Sequence, residues 1–111
     1  MNIIKEWGVT DKRQRYNLME ATGTNLRDMV GQRLELKAYM IVETADPATG
    51  EMHKALKGET VEGEIFGTSS ASFISGMERF LLCMETDACT EMGVGKQRSQ
   101  KTGHEYLTFI A

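Results

Sequence analysis

An eleven-residue alternation of apolar and polar side chains is the feature that most constrains how this chain can fold. From Arg33 to Glu43 an apolar residue stands at every second position. Side chains of a β-strand point to opposite faces at each step, so a period of two predicts a strand with one face against a core. On that face the pattern places Leu34, Leu36, Ala38, Met40 and Val42.

Turn-forming residues divide the rest of the chain into further strands. Asp46–Gly50 contains the sole proline and a glycine, which favour a tight turn, and Met52–Lys57 follows as a second strand paired with the first. A third alternating segment spans Thr60–Gly67. Closer to the end of the chain, a hairpin is predicted from the strands Thr90–Lys96 and His104–Ile110.

The period changes after the third strand. Thr68–Ser70 supplies hydroxyl side chains suited to cap a helix, and the apolar residues that follow recur at intervals of three and four. Gly76 lies inside this predicted helix, where glycine costs about 1 kcal/mol relative to alanine, so we expect a close packing contact there. The apolar stripe of the helix consists of Phe73, Ile74, Met77, Phe80, Leu81 and Met84.

In chain order, these elements predict an all-β barrel with one helix between the third and fourth of five strands. That order is the Greek-key arrangement of an OB-fold. A length of 111 residues fits a single domain, with the barrel over residues 31–110. Residues 1–30 lie outside this plan, and we interpret them as an N-terminal arm or an extra edge strand. Within them, Arg15–Glu20 and Thr22–Val30 are the candidates for that strand and for a turn of helix.

Composition excludes several classes of protein. Cys83 and Cys89 stand six positions apart without a neighbouring histidine, which matches neither a disulfide framework nor a zinc site. No apolar run is long enough for a signal peptide or a membrane span, so we expect a cytoplasmic protein without a membrane partner. The chain also lacks the GxSxG, HExxH and Walker motifs. We therefore expect a non-enzymatic protein that needs no metal or cofactor.

The formal net charge of −3 conceals an uneven distribution of charge. Residues 58–91 contain one basic residue against seven acidic ones, whereas residues 1–57 contain nine against eight and residues 92–111 three against one. The overall acidity excludes a uniformly cationic, histone-like protein. It leaves open a polarised barrel with one basic face.

Aromatic and basic side chains alternate with the predicted core positions. Arg33, Lys37 and Tyr39 are predicted to point outward from the first strand, and Phe66 from the third. A bulge at Gly63 would turn Phe66 inward, and aromatic residues also favour strands for packing alone. Single-stranded nucleic acid stacks its bases on aromatic rings while Lys and Arg bind its phosphates. The predicted interface consists of Arg33, Lys37, Tyr39, Lys54, Lys57, Phe66, Lys96, Arg98, Lys101 and Tyr106.

Three segments resemble the small single-stranded DNA-binding proteins of bacteriophages and mobile elements. Gly31–Tyr39 is similar to the glycine-led first strand of that family, Thr68–Ile74 to the start of its helix, and Gly95–Leu107 to its basic hairpin. The resemblance covers about residues 25 to 110. It implies an OB-fold, sequence-independent binding of single-stranded DNA in replication or recombination, and a homo-oligomer. The long acidic tail of cellular members is absent, so we do not expect partner recruitment through such a tail.

A second class of function fits the same barrel. The chain could be an interaction module, such as a phage structural or adaptor protein, that binds a protein through a sheet edge or through acidic residues 58–91. A complex with DNA separates the two hypotheses, because an adaptor should show no change of mass when DNA is added.

Overall fold

A long strand is the centre of the fold in the computed structural model, which describes residues 1–111. This strand, β3 (Arg33–Ala45), contains the alternating segment and confirms it as a strand. The predicted helix is present, and four of the predicted strands correspond closely to strands of the structure. The predicted third strand, Thr60–Gly67, is interrupted, because Thr60 ends one strand, residues 61–64 form a turn and loop, and the next strand spans only Ile65–Thr68. The structure adds two further strands and a second helix. The other elements are β1 (Asn2–Trp7), α1 (Lys12–Glu20), β2 (Thr24–Asn25), a 3-10 turn (Leu26–Met29), β4 (Met52–Thr60), β5 (Ile65–Thr68), α2 (Ala71–Met84), β6 (Glu91–Arg98) and β7 (Glu105–Ile110).

Two halves of a curled sheet share β3. Its first residues pair antiparallel with β6, where Arg33 lies opposite Gly93, and its later residues pair with β1, where Tyr39 lies opposite Trp7. The opposite side of β3 pairs with β4, which leads on to β5 and β2, and β6 leads on to β7. The result is a mostly β, barrel-like sheet of seven strands, whose main path ends at β2 on one side and β7 on the other.

The main core lies between the sheet and α2. Ser70 caps this helix, since its Oγ accepts a hydrogen bond from the backbone N–H of Phe73 at 3.3 Å. A Cβ at Gly76 would lie 3.1 Å from Cβ of Phe109, so glycine lets the helix approach β7 closely, as the sequence predicted. No helix in the structure combines the length and apolarity needed to cross a bilayer. Of the predicted stripe, Phe73, Ile74, Met77 and Leu81 are buried, Phe80 is half-buried and Met84 is exposed.

Residues 1–30 are part of the folded body. The extra edge strand is β1, and the region predicted as a possible strand, Arg15–Glu20, is helical instead. Asp11 explains this, because its carboxylate accepts a hydrogen bond from the N–H of Gln14 at 2.7 Å and caps α1. Leu18 of α1 packs on the outer face of β3, against Met40. The structure therefore has two α-helices where the sequence predicted one.

A bulge in β3 reverses the predicted alternation of its side chains. The pairing of β3 with β4 shifts register between Leu36 and Ala38. Because an extra residue inverts a period of two, Leu34 and Leu36 face the main core before the bulge and Tyr39 faces it afterwards. Met40 belongs to the second cluster, under α1. The prediction that Tyr39 points away from the core is wrong.

Candidate nucleic-acid interface

Two of the three aromatic residues predicted to stack bases lie in the core. Tyr39 is 0% exposed, and its hydroxyl donates a hydrogen bond of 2.5 Å to the backbone carbonyl of Asp87. Burial raises the pKa of this hydroxyl well above its usual value, and the charges of Asp87 and Cys89 add to the effect. Phe66 is 1% exposed, and its ring covers Gly58 of β4, where a Cβ would overlap it. The structure corrects the expectation that these two rings are free to stack bases.

Tyr106 is the predicted stacking residue that remains at the surface. Its side chain lies on β7 opposite Gln97 of β6, and 38% of the residue is exposed. The hydroxyl donates a hydrogen bond of 2.9 Å to Oε1 of Gln97. One end of the ring is therefore held by the neighbouring strand while part of the ring stays in contact with solvent.

The two lysines of β4 do not share a face. The ammonium group of Lys54 lies 3.0 Å from Oε2 of Glu78 on α2. Lys57 donates instead to the backbone carbonyl of Met19, in the last turn of α1 on the other side of the sheet. Lysines at the ends of a three-residue step along a strand point to opposite faces. Both cations bind groups of the protein itself, and the structure does not bring them together with the closing hairpin.

Lys54 and the closing hairpin also lie near opposite ends of β3. Lys54 lies opposite Glu43, whereas β6 meets β3 at the other end, with Gly93 opposite Arg33. Ten residues of strand between Arg33 and Glu43 correspond to about 33 Å. A continuous basic face that includes Lys54 and the hairpin would therefore have to span much of the molecule.

The two cations of β3 are exposed, but each faces a carboxylate. Arg33 forms an ion pair with Glu91 of β6, and its Nη1 donates to the backbone carbonyl of Ala111 at 3.2 Å. Lys37 lies 4.0 Å from the carboxylate of Glu59. Exposed pairs of this kind contribute about 0–1 kcal/mol, so both side chains can still turn towards another anion.

The hairpin formed by β6 and β7 gathers three predicted cations, Lys96, Arg98 and Lys101, which we call the hairpin cations. Lys96 and Arg98 project from the same face of β6, and both reach Glu105 on β7, at 2.7 Å and 3.5 Å. The hydrogen bond and charge of Lys96 hold the pKa of Glu105 below its usual value, and Arg98 adds to this effect. Lys101 is exposed in the turn between the strands.

A cleft of about 420 Å³ opens beside the hairpin, and we call it the seam cleft. It lies between β7 and the segment that joins β5 to α2, where the curled sheet does not close on itself. Arg27 adds a cation that the sequence analysis missed, and Asn25 positions its backbone by accepting the N–H of Arg27 at 2.9 Å. The cleft is lined by Asn25, Arg27, Thr68, Ser69, Ser70, Lys96, Glu105, Tyr106 and Leu107.

A larger cleft of about 660 Å³ separates α1 from the sheet and has a different character. Its charged residues are Asp11, Arg13 and Glu59, so acidic groups outnumber basic ones. No three His, Cys, Asp or Glu side chains come together in an arrangement that could hold a metal ion. The seam cleft is thus the cavity that combines an excess of cations with an exposed aromatic ring.

Comparison of the chain with protein-family models, curated proteins and solved structures found no match. The assignment of the interface therefore depends on the geometry of the residues themselves. Of the ten predicted residues, the structure places the hairpin cations and Tyr106 on one hairpin, with Tyr106 on the face opposite to Lys96 and Arg98. Arg33 and Lys37 are exposed away from this hairpin. Lys54 and Lys57 contact groups of the protein itself. Tyr39 and Phe66 are buried.

Proposed function

We propose that this chain is a non-enzymatic protein that binds single-stranded DNA without sequence preference. The observation that carries the proposal is the lining of the seam cleft, which includes the cations Arg27 and Lys96 together with Tyr106, an aromatic residue that is partly exposed. A base stacked on such a ring contributes about 1–3 kcal/mol, and neighbouring cations bind the phosphates on either side. Neither contact reads the identity of the base.

We further propose that the sheet is a variant of the OB-fold. The order of β3, β4, β5, α2, β6 and β7 supports this, since a long first strand shared by both halves and a helix before the last hairpin are typical of that fold. In such barrels the loop between the last two strands contacts oligonucleotides. In this chain that loop carries Lys101 and follows Arg98.

The resemblance to phage and mobile-element proteins supports a role in replication or recombination of such DNA, in the cytoplasm and as a homo-oligomer. The charge of the interface supports a moderate affinity. One stacking ring and three hairpin cations give few contacts, and about three phosphates neutralised on a single strand correspond to a slope of about −2 in log K against log salt. Affinity should therefore depend on stacking as well as on charge.

A titration of a fluorescent oligo-dT by the purified protein, followed by anisotropy at two salt concentrations, tests the proposal. The informative variant replaces the hairpin cations together, as Lys96→Ala, Arg98→Ala and Lys101→Ala. A matched control is Lys12→Ala with Arg13→Ala, which removes exposed cations from α1, away from the seam cleft.

We expect the wild-type protein to bind more weakly at higher salt. The hairpin variant should bind at least about tenfold more weakly with a flatter salt dependence, whereas the control should stay close to wild type. Absence of binding at tens of micromolar would overturn the proposal. Affinity that does not change with salt concentration would also overturn it, as would an equal loss of affinity in the hairpin variant and the control variant.

An interaction module remains the second candidate, and one observation favours it. β1 pairs only with β3, so its other edge presents unpaired backbone groups, and Ile3 and Ile4 are 39% and 42% exposed beside it. An extended segment of a partner could add to this edge as a further strand. Light scattering with and without oligo-dT distinguishes the candidates, since only a DNA-binding protein gains mass with the oligonucleotide.

A further inference from the structure

Glu105 is the one acidic residue among those that line the seam cleft. Its carboxylate stands between two cations of β6, 2.7 Å from Nζ of Lys96 and 3.5 Å from Nη2 of Arg98. The three side chains are 43%, 50% and 70% exposed, in the order Glu105, Lys96, Arg98. They thus form a solvent-accessible anion site that is filled by a group of the protein itself.

We propose that Glu105 occupies the position of a DNA phosphate in the free protein and gives up Lys96 and Arg98 to that phosphate when the strand binds. This inference rests on the proposed function. A phosphodiester carries one negative charge, as a carboxylate does, and its oxygens accept hydrogen bonds from ammonium and guanidinium groups in the same way. Glu105 would then lower the affinity for DNA by competing with the phosphate for the two cations.

The strength of the existing contacts is compatible with such an exchange. Exposed ion pairs contribute little to stability because water and salt screen them, so Lys96 and Arg98 can leave Glu105 without disturbing the fold. The backbone of the hairpin does not depend on the pair, because β6 and β7 are held by their own ladder, with Arg98 opposite Glu105 at its end. Tyr106 follows Glu105 on β7, so its ring lies on the other face of the hairpin, although both residues line the seam cleft.

The substitution Glu105→Gln tests this directly, because glutamine keeps the size of the side chain and removes its charge. We expect about fivefold tighter binding of oligo-dT at low salt, with the gain shrinking as salt rises. Glu62→Gln is the matched control, since Glu62 is exposed in the turn between β4 and β5, outside the seam cleft, and forms no ion pair. Its affinity should stay within about twofold of wild type.

Further measurements keep the outcomes distinct. If the wild-type protein fails to bind oligo-dT, the proposed function fails; if it binds and Glu105→Gln gains no more than Glu62→Gln, only the role of Glu105 is overturned. Glu105→Ala should show the same gain, and thermal unfolding should show that both variants fold.

Thymidine monophosphate and inorganic phosphate, added at constant ionic strength, should displace the oligonucleotide only weakly. Displacement as effective as that by unlabelled oligo-dT at equal phosphate would overturn a site for a DNA strand.

Discussion

Replacing Tyr39 by phenylalanine separates one buried hydrogen bond from the packing of a ring. The ring is completely buried, and its hydroxyl donates to the carbonyl of Asp87 at 2.5 Å, which ties β3 to the segment after α2. A typical hydrogen bond contributes about 0.5–1.5 kcal/mol net. Because Asp87 is exposed, water can reach its carbonyl after the substitution. We therefore expect Tyr39→Phe to lower the free energy of unfolding by about 1 kcal/mol.

Urea denaturation followed by the fluorescence of Trp7 is a suitable assay, because the indole lies 6.3 Å from the Tyr39 ring. Tyr39→Phe should lower the denaturation midpoint and leave the affinity for oligo-dT unchanged. Tyr39→Ala should cost about 3–5 kcal/mol, since truncation also leaves a cavity. A Tyr39→Phe protein as stable as wild type, or a folded one that binds DNA more weakly, would refute the assignment of this residue to the core.

Three further expectations follow from the same structure. Tyr106→Ala should weaken binding of oligo-dT by about 1–3 kcal/mol in an anisotropy titration, while Tyr16→Ala, which removes a ring that is 65% exposed on α1, should not. The raised pKa of Tyr39 means that the unfolded chain loses this proton first, near its ordinary pKa of 10.0. Stability should therefore be full below that pH and fall above it, and urea midpoints of Tyr39→Phe should lack this part of the decline. Phe66→Ala should lower the free energy of unfolding by about 3–5 kcal/mol in urea denaturation.

Strands β3, β4, β6 and β7 and the helix α2 could be predicted because their signals are local, whereas β1 and β2 were not predicted. The period of two in β3, the turn at Asp46–Gly50 and the change of period after Thr68 each depend on neighbouring residues. Gly76 could also be interpreted, since a glycine inside an amphipathic helix needs a packing reason and Phe109 supplies it. Asp11, which caps α1, is a local signal of the same kind, but it is not part of any alternating pattern.

The faces of the strands were harder to predict, because a single bulge inverts every side chain that follows it. Nothing in the composition of Leu36–Ala38 marks the register shift, which depends on how β3 pairs with β4. Tyr39 consequently moved from the predicted interface into the core. Phe66 is buried because its ring fills the space that Gly58 leaves on the adjacent strand.

The candidate site was predictable where it is contained in one hairpin. Lys96 and Tyr106 lie on the two strands of one hairpin, so pairing of β6 with β7 places Lys96 opposite Leu107 and Tyr106 opposite Gln97 whatever the rest of the fold does. Arg27 reaches the seam cleft only through the tertiary placement of the 3-10 turn, which no periodicity reveals. The prediction that Lys54 and Lys57 belong to the interface could not be tested from the sequence, because their partners within the protein, Glu78 and the carbonyl of Met19, are distant in sequence.

We propose that single-stranded DNA binds at the seam cleft and the adjoining hairpin. Titration of the ¹⁵N-labelled protein with oligo-dT, followed by two-dimensional NMR, tests this most directly. We expect the largest shifts of the backbone amides within residues 96–107, with further shifts at Arg27 and Ser69. Shifts confined to α1 and the outer face of β4, or an unchanged spectrum at millimolar oligonucleotide, would contradict the claim.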